Sequence, residues 1–361
     1  MLALNLLATF FLEGLATDCS GAERWQKGDV IDEAASGGSP TAFTQEELDS
    51  VPSDFEQVPL ECFGIQPVEP WQARRVDGDL AYPDAESLRR IVDNTRSLTK
   101  SAITGTWKRW PNGEVPYTVD AIYGPYSRSV LLSAIKYIQE NSCIRFKPRE
   151  GERDFVQIFA DRGQGCYSLV GRAGGSQPVS IDDGCVDRGT VVHELLHVLG
   201  FFHEHSRADR DDWVDIRYEN VERSATVRNQ FEKYSFAEME NLGVGYDYGS
   251  ILHYSPYAFS RNGKATIVGK KDGSEAMGQR NELSDKDISK LNKLYDCPSE
   301  AEGEDGSVNP APVTDRPEAP NRRCTNSGAA AIICRFINPN GRVGCNIRLI
   351  RRICQGTCDS C

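Results

Sequence analysis

Four of the chain's five histidines, His193, His197, His203 and His205, fall within one short stretch, and the fifth is His253. The stretch reads His193-Glu194-Leu195-Leu196-His197-Val198-Leu199-Gly200-Phe201-Phe202-His203-Glu204-His205. On a helix, residues four apart share a face, so His193 and His197 can turn both rings to one metal ion. Glu194 is offset by one position and can reach a water on that metal. Gly200 suits a helix end, because glycine takes the left-handed conformation that reverses the chain. The reversal can return His203 as a third nitrogen ligand. Three ligands leave a position open for water, the catalytic arrangement of zinc and not its closed structural one. A purely structural site is the alternative, and it leaves Glu194 without a task.

The elements that must position these residues are legible in the periodicity. A helix is expected around Thr190–Leu199. Val115, Tyr117 and Val119 alternate as a strand does, and so do Phe155, Gln157 and Phe159 against Val156 and Ile158. Val130, Leu131, Ala134, Ile135 and Ile138 recur at helical spacing after a cap at Ser127 or Ser129. A further helix starts at Ser284, with Asp287 completing a capping box, and buries Ile288, Leu291 and Leu294. Strands preceding helices predict an α+β domain. Residues 18 to about 100 are polar and weakly periodic, with Gly28–Glu47 reading as loop. That region has little core of its own and could cover another domain.

Composition narrows the function. The chain has 361 residues and a formal net charge of -12, which suits one or two domains plus connections. An acidic balance without a basic, aromatic-interleaved patch argues against nucleic-acid partners. No run of about 18 apolar residues follows the N-terminus, so no membrane span is expected. Twelve cysteines read as a disulfide framework in an oxidising compartment. Met1–Thr17 carries an apolar run and then Gly14-Leu15-Ala16, the pattern of a secretory signal peptide (residues 1–17), although no Lys or Arg precedes the run. An apolar N-terminal helix is the other reading. Residues 298–323 mix prolines with acidic residues and form a linker. Residues 324–361 hold Cys324, Cys334, Cys345, Cys354, Cys358 and Cys361. So short a segment needs three disulfides to hold it.

His193 to Glu204, HELLHVLGFFHE, resembles the zinc motif of the astacin family of metalloendopeptidases, within the metzincins. The resemblance spans residues 101–297. It implies a metzincin-type catalytic domain with a mixed sheet in its upper half, an active-site helix and a Met-turn. It implies one Zn2+ on His193, His197 and His203, with Glu194 as general base. Ser250-Ile251-Leu252-His253-Tyr254 matches the Met-turn, with Leu252 in place of methionine, a swap of similar volume. Tyr254 would be a zinc ligand at rest and an oxyanion stabiliser in turnover. Glu204 would make a buried salt bridge to the N-terminus of the processed enzyme.

The same resemblance implies that Cys143 pairs with Cys297 and Cys166 with Cys185, while Cys19 and Cys62 stay open. Residues 18–100 would be a pro-segment, cut after Lys100 by a trypsin-like protease. Val76-Asp77-Gly78-Asp79 is similar to the family's Phe-x-Gly-Asp, which makes Asp79 the candidate that blocks zinc in the zymogen. An Asp-Gly turn is the rival reading. The strand Phe155–Phe159 would line the cleft and pair with extended substrate. The family often favours an acidic residue after the cut, with Arg280 the candidate basic group. The last six cysteines are similar to a ShK-type module, here without that toxin's Lys-Tyr pair. They suggest a small disulfide-rich domain for an extracellular protein partner. The expected function is therefore a secreted zinc endopeptidase made as a zymogen and acting on proteins or peptides. Two other readings stand beside it: an inactive zinc-bearing scaffold, favoured by Leu252, and a cysteine-rich venom-type effector.

Overall fold

The computed structural model describes residues 17–52, 55–73, 79–81, 106–233 and 242–298. The signal run, Lys100, Val76 to Gly78, the linker and the six C-terminal cysteines lie outside the described residues.

In chain order the elements are α1 (Lys27–Val30), α2 (Gln45–Ser50), β1 (Leu80–Ala81), β2 (Glu114–Val119), α3 (Pro125–Glu140), β3 (Arg145–Pro148), β4 (Phe155–Phe159), β5 (Tyr167–Leu169), β6 (Ser176–Ser180), α4 (Arg188–Val198), β7 (Val214–Ile216), α5 (Ala225–Asn229), β8 (Ile267–Gly269) and α6 (Asp285–Leu294). Short 3-10 turns link many of them.

Val115, Tyr117 and Val119 point one way from β2 and are fully buried, as the two-residue period of a strand requires. Six strands form one mixed sheet in the order β1-β5-β6-β4-β2-β3. β3, β2, β4 and β6 run parallel, β5 runs antiparallel to β6, and β1 runs parallel to β5. The apolar face of α3 (Val130, Leu131, Ala134, Ile135 and Ile138) and most of α4 complete a shared core with this sheet. A second cluster, around Phe231, Tyr246, Tyr254 and Ile267, lies with the two-stranded β7–β8 sheet. The architecture is α+β with helices and a mixed sheet.

Three expectations are corrected. The strand Phe155–Phe159 does not line a cleft: as β4 it sits between β2 and β6, and β5 is the strand beside the histidines. Edge and interior strands share the same alternation, so periodicity cannot tell them apart. Gly28–Glu47 is not plain loop, for α1 lies largely inside it and α2 begins in it. There Thr44 and Glu47 form a capping box, a signal that was present in the sequence. The cap of α3 is Gly124 with Pro125 in the first turn, upstream of Ser127. Proline is favoured there because its missing N–H is one the helix leaves unpaired.

Candidate active site

Helix α4, which carries His193, Glu194 and His197, is anchored at its start, where the Asp187 carboxylate accepts the Thr190 N–H at 3.0 Å. Its residues from Gly189 to Val198 are all buried, so it lacks the polar face of a surface helix. It ends in a Schellman motif. The Phe201 N–H donates to the Leu196 carbonyl at 3.1 Å and the Gly200 N–H to His197 at 2.8 Å. Gly200 has φ 105°, a value only glycine takes without strain. The chain thus turns back, and His203 arrives beside the helix.

His193, His197, His203 and Asp79 converge, with one ligand atom from each within 4.8 Å of the others. Asp79 Oδ2 lies 2.8 Å from His193 Nε2, and Asp79 Oδ1 lies 2.9 Å from His203 Nε2. His197 Nε2 is 3.1 Å from His193 Nε2. All four side chains are buried. The outer nitrogens fix the tautomers: His193 Nδ1 donates to the Ile251 carbonyl at 2.7 Å, and His197 Nδ1 to Phe201 at 2.6 Å. Each neutral ring then turns a lone pair inward. Two lone pairs and a carboxylate facing one another in a buried space repel unless a proton or a metal cation sits among them. Imidazole and carboxylate donors in this number suit zinc. His205 is not in the set, because its Nε2 faces the Gln230 carbonyl at 3.0 Å.

Electrostatics follow burial and this cluster. Burial pushes the His193 imidazole down to about 4, and the nearby Arg280 charge adds to the effect. Burial drives His197 well below the ordinary histidine value, with His203 and His193 adding. Burial would raise the Asp79 carboxyl, but the charges and hydrogen bonds of His203 and His193 outweigh it and hold Asp79 well below the usual range. Glu194 is driven the opposite way, up by burial and then by the Asp79 charge. Its Oε2 accepts the Ser168 hydroxyl at 2.7 Å.

The segment 250–254, expected to be the Met-turn, lies against the histidines. Asp287 of α6 accepts the Ser250 hydroxyl at 2.7 Å and the Ile251 N–H at 2.9 Å. The Ile251 carbonyl is the one that orients His193, so α6 reaches that ring through two hydrogen bonds. Leu252 is buried at the methionine position. The Tyr254 ring is buried, stacks on His205 at 3.9 Å and lies 4.6 Å from His203. Arg280 donates from Nη1 to the Ile251 and His253 carbonyls at 2.9 and 3.2 Å. Its Nε and Nη2 are buried with no hydrogen-bond partner among the described residues.

Glu204 is buried and accepts from Lys290 Nζ at 2.7 Å, Arg207 Nη1 at 3.3 Å and the Asp247 N–H at 2.9 Å. The N-terminal residues expected to meet it, 101–105, are outside the described residues. Cys143 is bonded to Cys297, Cys166 to Cys185, and Cys19 to Cys62.

The profile of the Astacin peptidase family matches residues 102–296. Zinc metalloproteinase nas-4 of Caenorhabditis elegans is 45% identical over 248 residues, 68% of this chain and 77% of that protein. The chain belongs to the astacin family. It is a zinc metalloproteinase, a peptide hydrolase whose cofactor is Zn2+. Zinc metalloproteinase nas-13 of the same nematode is 48% identical over 233 residues, 62% of this chain and 51% of that protein. Among solved structures, high choriolytic enzyme 1, a hatching-enzyme zinc protease of Oryzias latipes, aligns with TM-score 0.48 and 37% identity, over 53% of this chain and 94% of that one.

Against the astacin expectations, sequence reasoning missed Ser168, Asp287 as a support of the Met-turn, and Lys290. Ser168 is one hydroxyl in a three-residue strand and carries no local signal. Asp287 was legible only as a helix cap. Lys290 reads as an exposed helical charge until the fold buries it.

Proposed function

We propose that this astacin-family chain is a secreted endopeptidase made as an inactive precursor, with His193, His197 and His203 as its zinc ligands. The observation that carries the reading is the Asp79 carboxylate lying against His193 and His203, where water and substrate would otherwise enter. Three disulfides among the described residues support passage through an oxidising compartment. No described helix is long and apolar enough to cross a membrane.

Bound at the three imidazoles, zinc supplies Lewis acidity and eases deprotonation of water. Glu194 takes that proton and returns it to the leaving amine. Ser168 holds Glu194 from the side of β5. Tyr254 steadies the negative oxygen that develops on the substrate. Extended substrate adds to β5 along the edge that β1 occupies in the precursor. The two unsatisfied donors of Arg280 fit an acidic side chain just after the cut. Leu252 keeps the Met-turn position apolar and buried, which weakens the scaffold reading. Residues 298–323 are the linker and 324–361 the disulfide module that recruits an extracellular partner.

The test uses the purified full chain. It should carry stoichiometric zinc and cut no denatured protein until trypsin severs it after Lys100. Activity should then appear with Ser101 as the new N-terminus and vanish with a chelator. Full activity before cleavage, or a processed chain without zinc, overturns the reading.

A further inference from the structure

The pro-segment meets the catalytic domain at a second surface, made of residues that take no part at the cation site. Tyr126 of α3 donates its hydroxyl to the Val58 carbonyl at 2.5 Å and accepts the Val58 N–H at 3.1 Å. The neighbouring Ser127 donates to the Val30 carbonyl at 2.5 Å. Tyr117 of β2 accepts the Phe43 N–H at 3.2 Å. These are buried side chains of one domain that hold the backbone of another segment, as a peptide-binding surface does. Val30, Phe43 and Val58 are themselves buried in the shared core, so apolar burial adds to the hydrogen bonds.

Two glycines sharpen the point. A Cβ at Gly124 would fall 2.5 Å from the Asp29 carbonyl oxygen, and one at Gly184 would fall 2.6 Å from Val68 Cγ2. The nearest atoms at both sites belong to the pro-segment, and neither glycine has a φ that an alanine would resist. The catalytic domain is thus shaped for close approach by this segment. The attachment is also noncovalent. Cys19–Cys62 closes within the pro-segment, and the other two bridges close within the catalytic domain.

We propose that α3, β2 and the loop around Gly184 form a docking surface that holds residues 17–52 and 55–73 after the chain is cut, so that cleavage alone does not free the active site. The proposal rests on the precursor reading above. Docked residues keep Asp79 near the histidines at an effective concentration on the order of millimolar. Activation then has two stages, cleavage followed by dissociation or further digestion of the pro-segment.

The experiment is limited trypsin cleavage of the full chain, native gel filtration at micromolar protein, and mass spectrometry of each peak beside an activity assay. The wild-type pro-segment should co-elute with the catalytic domain, and activity should rise on dilution with a lag. Gly124→Ala and Gly184→Ala should each speed release by about tenfold and leave the final activity unchanged. Asp79→Ala should give activity while the segment still co-elutes. Immediate separation of the cut wild-type segment overturns the docking surface and leaves the precursor reading intact. Activity in the uncut wild-type chain overturns the precursor reading instead. Release unaffected by both glycine variants also overturns the docking surface as drawn.

Discussion

Ser168 gives its hydroxyl proton to Glu194 at 2.7 Å and its backbone N–H to the Asp79 carbonyl at 2.9 Å. One residue of β5 therefore touches both the carboxylate proposed as base and the segment proposed to block it. A hydrogen bond to a buried charged group is worth about 1.5–3 kcal/mol. Ser168→Ala should lower kcat of the processed enzyme by about 10- to 100-fold, with KM and zinc content near normal. Ser168→Thr should recover most of the loss. Steady-state kinetics with metal analysis checks this, and an unchanged kcat counts against the positioning role.

Glu194→Gln keeps the shape of the site and removes the proposed base. Zinc should stay bound and turnover should fall by about 10²–10⁴-fold. Near-normal turnover with zinc retained would remove Glu194 from the mechanism.

Asp79→Ala opens the cation site and leaves the proposed cut after Lys100 untouched. The uncut variant should cleave a denatured protein substrate, whereas the uncut wild type should not. Asp79→Asn should fall between them, since an amide is a weaker ligand without charge. A silent Asp79→Ala precursor that activates normally on cleavage would place the block elsewhere.

Arg280→Glu reverses a charge two of whose buried donors, Nε and Nη2, are left unsatisfied among the described residues beside the site. Peptide pairs that differ only in the residue after the cut should show the ratio of kcat/KM shift by at least about tenfold from acidic toward basic. An unmoved ratio would exclude Arg280 from that pocket.

The buried histidines set an acid limit on stability. Burial lowers His253 to about 4, opposed by its hydrogen bond to the Tyr254 carbonyl. The folded value lies below the unfolded one of about 6.5, so the unfolded chain binds the proton first. The stabilisation is complete above about pH 6.5 and is lost as pH falls toward 4. The slope nears about 1.4 kcal/mol per pH unit for each such group. The thermal midpoint of the zinc-free protein should drop across that window, and His253→Asn should flatten the drop.

The metal set was legible because a helix converts sequence spacing directly into geometry. Four residues are about one turn, and Gly200 marks where the helix must end. The α6 cap at Ser284 and Asp287 was legible for the same reason: both partners lie within one turn. The cleft strand was misread because alternation reports that a strand has two faces, not which neighbours flank it. The core role of residues 18–73 is not legible in the sequence because their apolar residues, among them Val30, Phe43 and Val58, are spaced without a period. They bury themselves in the core shared with α3, α4 and the mixed sheet and not in one of their own.

By itself the sequence determined the chemistry of the site: three imidazoles whose spacing a helix and one left-handed glycine turn into a cation cage, with the Glu194 carboxylate one position along the same helix. Only the tertiary structure decided what surrounds that cage. Asp79 enters it and Ser168 holds Glu194 beside it from chain positions 89 residues apart, and Asp287 supports it from α6, the last described helix. Local rules act over a turn or a strand pair, whereas these contacts depend on how the sheet orders its strands and which face each buries.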